Sequence, residues 1–185
     1  MESRPLPALV FFCTGMGGID EQKSALRAQV RGRMPKSATP QFVSASVAAQ
    51  ERLAASDLVR DARMVALYRA LPSECGTAAL AAALQAIGKE ICYPVTLPGQ
   101  QPLEFRRGVG VFVAGALGVE EPTGAPVGIE QLDLMVVPAI AVDAHGRRLG
   151  RGRGHYDATL ALCRAPAVAL VFECQLVPEV PVDSN

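Results

Sequence analysis

Apolar and polar positions along this chain group into blocks with the periods of helix and strand. Between residues 21 and 34, Leu26 and Val30 share one face at helical spacing. Lys23 and Arg27 form a neighbouring stripe one turn apart. Asp20 is suited to cap this helix, and Glu21 places negative charge in its first turn. Residues 42–61, after Pro40, are rich in Ala, Val and Leu with polar residues at intervals, and predict a second helix. Residues 64–68 predict a short buried strand, followed by the turn Leu71-Pro72-Ser73-Glu74 and a helix over 77–87 with Gly88 at its C-cap. A strand is expected over 91–95. Residues 100–126, rich in Gly and Pro, predict irregular structure with one strand near 111–113. Residues 132–142 form the most continuous apolar run and predict a central strand buried on both faces, with Pro138 ending or bending its pairing. Asp143 and a turn at 144–146 lead into a loop of Arg and Gly, a helix over 155–163 and a last strand over 167–172. Strands alternate with helices, so the expected fold class is α/β, a three-layer α/β/α arrangement with a mostly parallel sheet.

Composition narrows the picture. The chain has 185 residues, half of them apolar. That suits one domain, which at this length buries roughly 70% of its unfolded surface without staples. The domain is expected over 21–185, with 1–20 as an N-terminal extension. The apolar stretch at 7–16 reads as an extension or edge strand, with a signal peptide as the alternative. Eighteen basic residues balance eighteen acidic ones, which argues against a general nucleic-acid binder. Fifteen of those basic residues are Arg, and Ala is abundant, so coding bias weakens the meaning of any single Arg. There is no Trp and there are nine aromatics, too few for a single-strand stacking platform. Five cysteines, none in CxxC, argue against a disulfide framework or structural zinc and point to a reducing compartment. No apolar run reaches the ~20 residues of a membrane span. A cytoplasmic monomer without membrane or nucleic-acid partners is the expectation.

The chemistry concentrates at Arg147-Arg148-Leu149-Gly150-Arg151-Gly152-Arg153-Gly154-His155-Tyr156-Asp157. Glycines let a backbone approach a ligand closely. The N-terminus of the following helix offers unpaired N–H groups and partial positive charge. Arg151 and Arg153 add guanidinium forks suited to phosphate oxygens. Asp157, in the first turn of the helix, is a hard-oxygen donor for a cation such as Mg²⁺. The spacing is GxGxG, neither GxxxxGK[ST] nor GxGxxG. A loop of this kind between a buried strand and a helix sits where open α/β sheets bind ligands. Without GxSxG, and with two histidines and no paired cysteine motif, a nucleophilic triad has little support.

The run from Pro138 to Asp143, then His145-Gly146, Arg148-Leu149-Gly150-Arg151-Gly152, Gly154, Tyr156-Asp157 and Leu160, resembles the signature of the 5-formyltetrahydrofolate cyclo-ligase family. Lys23 to Arg27 resembles that family's N-terminal Lys-x-x-x-Arg helix. Tyr68 through Glu74, with Thr77, resembles its strand-to-helix turn, and Gly118-Val-Glu-Glu121-Pro122 its Gly-Ile-x-Glu-Pro segment. Val171-Phe172, Gln175 and Val180-Pro181 resemble its closing strand and loop, so the likeness spans about residues 22–185.

The resemblance implies ATP- and Mg²⁺-dependent closure of 5-formyltetrahydrofolate to 5,10-methenyltetrahydrofolate, with release of ADP and phosphate through a phosphorylated formyl oxygen. It implies that Lys23, Arg27 and the loop from Arg148 through Leu149, Gly150, Arg151, Gly152, Arg153, Gly154, His155 and Tyr156 hold ATP. Asp157 would hold Mg²⁺. Glu74, Arg151 and His155 would meet the folate, and Arg151 and Tyr156 would stand at the reacting groups. His155 replaces the family's usual Tyr, Cys75-Gly76 replaces a hydrophobic–acidic pair, and a metal-assisting Asp is expected just past Asn185, with Asp183 nearby. Two readings of the C-terminus stay open: a natural end, which puts metal binding and activity in doubt, and a truncation relative to the family. Two alternatives stay open: a paralogue acting on another N-formyl substrate, and a folate- or nucleotide-binding protein impaired in turnover.

Overall fold

The computed structural model describes residues 18–97, 102–116 and 118–182. Helix α1 spans Ile19–Arg33, and its N-cap is Gly18 rather than Asp20. Asp20 and Glu21 instead occupy the first turn, with Arg31 and Arg33 in the last, both favourable to the helix dipole. Helix α2 spans Pro40–Ala54 and is capped by Thr39, whose hydroxyl accepts from the Phe42 N–H. The single helix expected over 42–61 is two. Ser56 interrupts it, donating to the Leu53 carbonyl at 2.7 Å and capping α3, Asp57–Asp61.

Strand β1 (Met64–Ala66) is followed by α4 (Ala78–Ala86) and β2 (Glu90–Val95). The region expected to be irregular apart from one strand near 111–113 holds that strand, β4 (Phe112–Ala114), and three more: β3 (Glu104–Arg107), β5 (Glu120–Pro122) and β6 (Pro126–Val127). In β3 only Phe105 is buried, flanked by Glu104 and Arg106, so its period-2 pattern carries a single apolar residue. The apolar run at 132–142 divides into β7 (Leu134–Val137) and β8 (Ala141–Val142), parted at Pro138. Strand β9 (Arg148–Leu149) returns antiparallel to β8; α5 (His155–Leu162) and β10 (Ala167–Ala169) complete the α-helices and strands among the described residues.

Six strands form one sheet in the order β10-β7-β1-β2-β3-β6. The first four are mutually parallel, and β3 and β6 add antiparallel pairs. Helices flank this sheet, as expected for an α/β fold. Alternate residues separate two cores. Val65, Leu134 and Val136 join Phe42, Leu53, Leu80 and Leu84 from α2 and α4 on one face. Ala66, Met135 and Val137 join Phe105 and Leu132 on the other, against Leu160 of α5. A third cluster packs Val30 of α1 on Ile140, Leu149, Val177 and Val180. Leu26 adjoins it, as the helical spacing predicts.

Buried polar side chains tie α2 to α4. Gln50 accepts from the Leu80 N–H at 3.0 Å, and Ser46 Oγ accepts from the Gly76 N–H at 2.8 Å. Thr77, the N-cap of α4, turns its hydroxyl to the Tyr68 carbonyl, so α2 supplies the cap that α4 lacks. A side chain at Gly76 would press on Ser46 Oγ, and Cys75 is buried against the same serine. Packing on Ser46 thus accounts for the unusual Cys75-Gly76 pair. Among the described residues, no helix is long and apolar enough to cross a membrane.

Candidate active site

A cavity of about 130 Å³ lies beyond the carboxyl ends of the parallel strands. Tyr68 reaches it after β1, Thr96 after β2 and Pro138 after β7. This is where open α/β sheets place their ligands, because strand ends and helix beginnings leave backbone groups unpaired there. The loop 148–157 forms another wall.

Two left-handed glycines shape that loop. Gly152 has φ 99° and Gly154, the N-cap of α5, has φ 74°. Other residues rarely tolerate this backbone, so the GxGxG spacing builds a tight entry into α5. The free N–H groups of the α5 first turn then point out of the helix beside the cavity.

The cationic residues are individually anchored. Arg27 donates from Nε to the Gly150 carbonyl at 2.9 Å, which brings α1 onto the loop. Lys23 lies one turn earlier on α1 and is partly buried. Arg148 is only 10% exposed; it donates to the Pro138 carbonyl, pairs with Asp157 and lies over the Tyr156 ring. Arg151 donates from Nε to Glu74 Oε1 at 2.9 Å and from Nη2 to Ser73 Oγ at 3.3 Å. Arg153 is exposed at the cavity. Leu149 is the exception among the loop residues. Its side chain packs in the third core cluster and does not line the cavity, so only its backbone serves the loop.

Glu74 is held on both oxygens, by Arg151 and by the Leu71 N–H at 2.9 Å. Burial pushes the Tyr156 phenol well above its ordinary range, and the nearby Glu74 carboxylate adds to this. Tyr68, which donates to the Cys75 carbonyl at 2.6 Å, is raised for the same first reason. Both therefore stay neutral phenols, donors rather than bases, near neutral pH. Burial also lifts the Cys92 thiol to about 12, and Cys75 is raised by burial too, so neither thiol is an activated nucleophile. Nδ1 of His155 is buried without a hydrogen-bond partner among the described residues.

Asp157 is exposed on its outer side and paired with Arg148. The described residues contain no cluster of three metal-binding side chains. Asp183 lies outside the described residues. Two residues that the sequence placed in family-like segments without a role are brought in. Asp143, fully buried, accepts from the N–H groups of His145, Arg147 and Val180 and from Arg147 Nε at 2.7–3.0 Å. Glu121 enters the cavity wall from β5.

The family profile of the 5-formyltetrahydrofolate cyclo-ligases matches residues 19–185. The chain belongs to that family. Relatives agree. It is 35% identical over 140 residues to the 5-formyltetrahydrofolate cyclo-ligase of Mycolicibacterium smegmatis, covering 70% of this chain and 72% of that one. It is 23% identical over 184 residues to the mouse 5-formyltetrahydrofolate cyclo-ligase, covering 90% of each. The NMR structure of Aquifex aeolicus 5,10-methenyltetrahydrofolate synthetase superposes with a TM-score of 0.76 at 26% identity, covering 88% of this chain and 84% of that one. Membership makes the chain an ATP-dependent ligase of folate one-carbon metabolism.

Proposed function

We propose that the chain uses the γ-phosphate of ATP to activate 5-formyltetrahydrofolate and close it to 5,10-methenyltetrahydrofolate, releasing ADP and phosphate. A formyl oxygen is a poor leaving group. Transfer of the phosphoryl group to it forms an O–P bond and expels ADP. The folate's N10 then attacks the resulting iminium carbon, loses its proton, and the C–O bond breaks with departure of phosphate. Such chemistry needs positioning and charge neutralisation more than it needs a nucleophile from the protein.

In this reading Arg151 faces the transferring phosphoryl group, and the Gly150–Gly154 backbone with Lys23, Arg27 and Arg153 holds the remaining phosphate charge. Tyr156 donates a hydrogen bond at the reacting end and takes no proton, because its phenol is neutral. Glu74 and His155 meet the folate. Asp157 suits Mg²⁺ as a single carboxylate acting together with phosphate oxygens, the usual way this ion is held. Bound there, Mg²⁺ would neutralise phosphate charge.

The observation that carries the reading is the contact between Arg151 and Glu74. The guanidinium assigned to phosphate and the carboxylate assigned to folate touch, so the γ-phosphate and the formyl group would meet between them. The test is the absorbance of methenyltetrahydrofolate formed from 5-formyltetrahydrofolate by purified protein with ATP and Mg²⁺. ATP-dependent product, lost in Arg151→Ala, is expected. Absence of product from the unaltered protein overturns the reading.

A further inference from the structure

Glu120 and Glu121 are neighbours in β5 with opposite surroundings. Glu120 points outward and pairs with Arg69 at 2.6 Å. Glu121 points inward, is 8% exposed and lines the cavity. No lysine or arginine among the described residues pairs with it. A buried carboxylate without a cation is costly unless hydrogen bonds compensate it. Glu121 has one described hydrogen bond, from the Thr96 N–H to Oε1 at 3.0 Å. Its other oxygen, Oε2, has no described partner.

The surroundings are fitted to hold this side chain where it is. Val113 is the register partner of Glu121 in the β4–β5 hairpin, and Gly115, just past the end of β4, leaves room that any larger residue would take: a Cβ there would overlap Cγ, Cδ and Oε1 of Glu121. Thr96 fixes one carboxylate oxygen from the end of β2, and Gly115 admits the stem. Of the other carboxylates of the cavity, Glu74 already accepts on both oxygens and Asp157 pairs with Arg148.

We propose that Glu121 is a substrate-binding residue whose Oε2 accepts a hydrogen bond from a ring N–H of the folate. This rests on the reading of the cavity as a folate site. The wall around Glu121 includes Leu103, Pro94 and Val119, apolar groups suited to the faces of a flat ring. A carboxylate repels phosphate, which sets Glu121 apart from the triphosphate, and ATP binding is measured beside folate binding to separate it from the adenine and ribose. A ring N–H completes its hydrogen bonding without needing a second charge.

The experiment measures binding of 5-formyltetrahydrofolate and, separately, of ATP by calorimetry for the unaltered protein, Glu121→Gln and Gly115→Ala. The amide of Glu121→Gln keeps an acceptor for the Thr96 N–H but offers a donor where Oε2 stood. Folate affinity is expected to fall about tenfold or more in Glu121→Gln, with ATP affinity and melting temperature unchanged. Gly115→Ala, which displaces the same side chain, is expected to weaken folate binding likewise. Folate affinity equal to that of the unaltered protein in Glu121→Gln overturns the role and leaves Glu121 as a tether for Thr96. An equal loss of ATP affinity also overturns it. If the unaltered protein binds no folate, the reading of the cavity fails first, and that result appears without any variant.

Discussion

Arg151 Nε lies 2.9 Å from Glu74 Oε1 across 77 residues of sequence, and its side chain is 42% exposed against 11% for the carboxylate. A half-exposed pair of this kind contributes under about 1 kcal/mol to stability. In the proposed function its weight lies in the site rather than in stability. Arg151→Ala is expected to lower kcat/KM by about 100-fold or more while shifting the melting temperature little. Arg151→Ala and Glu74→Ala combined are expected to cost less than the product of their separate effects, because each loses the same contact. A double-mutant cycle on the rate of methenyltetrahydrofolate formation checks this; strict additivity would show that the two act separately.

Asp157 is braced by Arg148, which also reaches the Pro138 carbonyl and Tyr156. Asp157→Asn removes a charge that faces solvent and leaves the fold intact. The Mg²⁺ concentration giving half-maximal rate is expected to rise about tenfold or more, on the scale seen when metal-site residues are altered. A Mg²⁺ titration of the variant at saturating ATP reads it directly. An unchanged midpoint assigns Asp157 to bracing Arg148 alone.

Asp143 predicts behaviour in acid. Burial opposes its charge, but hydrogen bonds from the Val180 N–H, the Arg147 guanidinium and the N–H groups of Arg147 and His145 outweigh that and hold its pKa down at about 2. A depressed carboxylate stabilises the fold fully above its ordinary value of 3.8 and loses that contribution as pH falls through the folded value. Unfolding midpoints are therefore expected to drop between about pH 4 and pH 2. Asp143→Asn should be less stable at neutral pH and show a shallower acid limb, measured by thermal melts across that range.

Gln50 is 4% exposed and caps α4 from a different helix. Gln50→Ala leaves the Leu80 N–H buried without its acceptor and is expected to cost about 1–3 kcal/mol. Denaturant unfolding measures the loss. Activity per folded molecule should be unchanged, since Gln50 does not line the cavity.

The parallel centre of the sheet was legible because Val65, Leu134 and Val136 and their neighbours are apolar on both faces, a pattern few other structures share. Of the antiparallel strands between 100 and 127, β4 near 111–113 was legible and the others were not. Phe105 alone is apolar in β3, and Glu120-Glu121-Pro122 offers no alternation that distinguishes strand from loop. Pro138 was legible as a break, and Ser56 was not, since a serine within a helical pattern caps only when the chain turns there. The loop 148–157 stood out by its glycines and arginines. Asp143 and Glu121 stood in family-like segments but their roles were not legible, because a carboxylate's role depends on which N–H groups the fold brings to it. For Asp143 one of these is Val180, 37 residues away.

The contacts that close the cavity join segments distant in the chain: 77 residues for Arg151 with Glu74 and 123 for Arg27 with Gly150. Such pairings form late, after the entropy of closing long loops has been overcome. In the proposed function, competence to bind nucleotide is then expected at the end of folding, when the first helix settles onto the loop. Regain of ATP binding during refolding should lag regain of helical signal, and ATP present throughout should draw the last step forward by mass action.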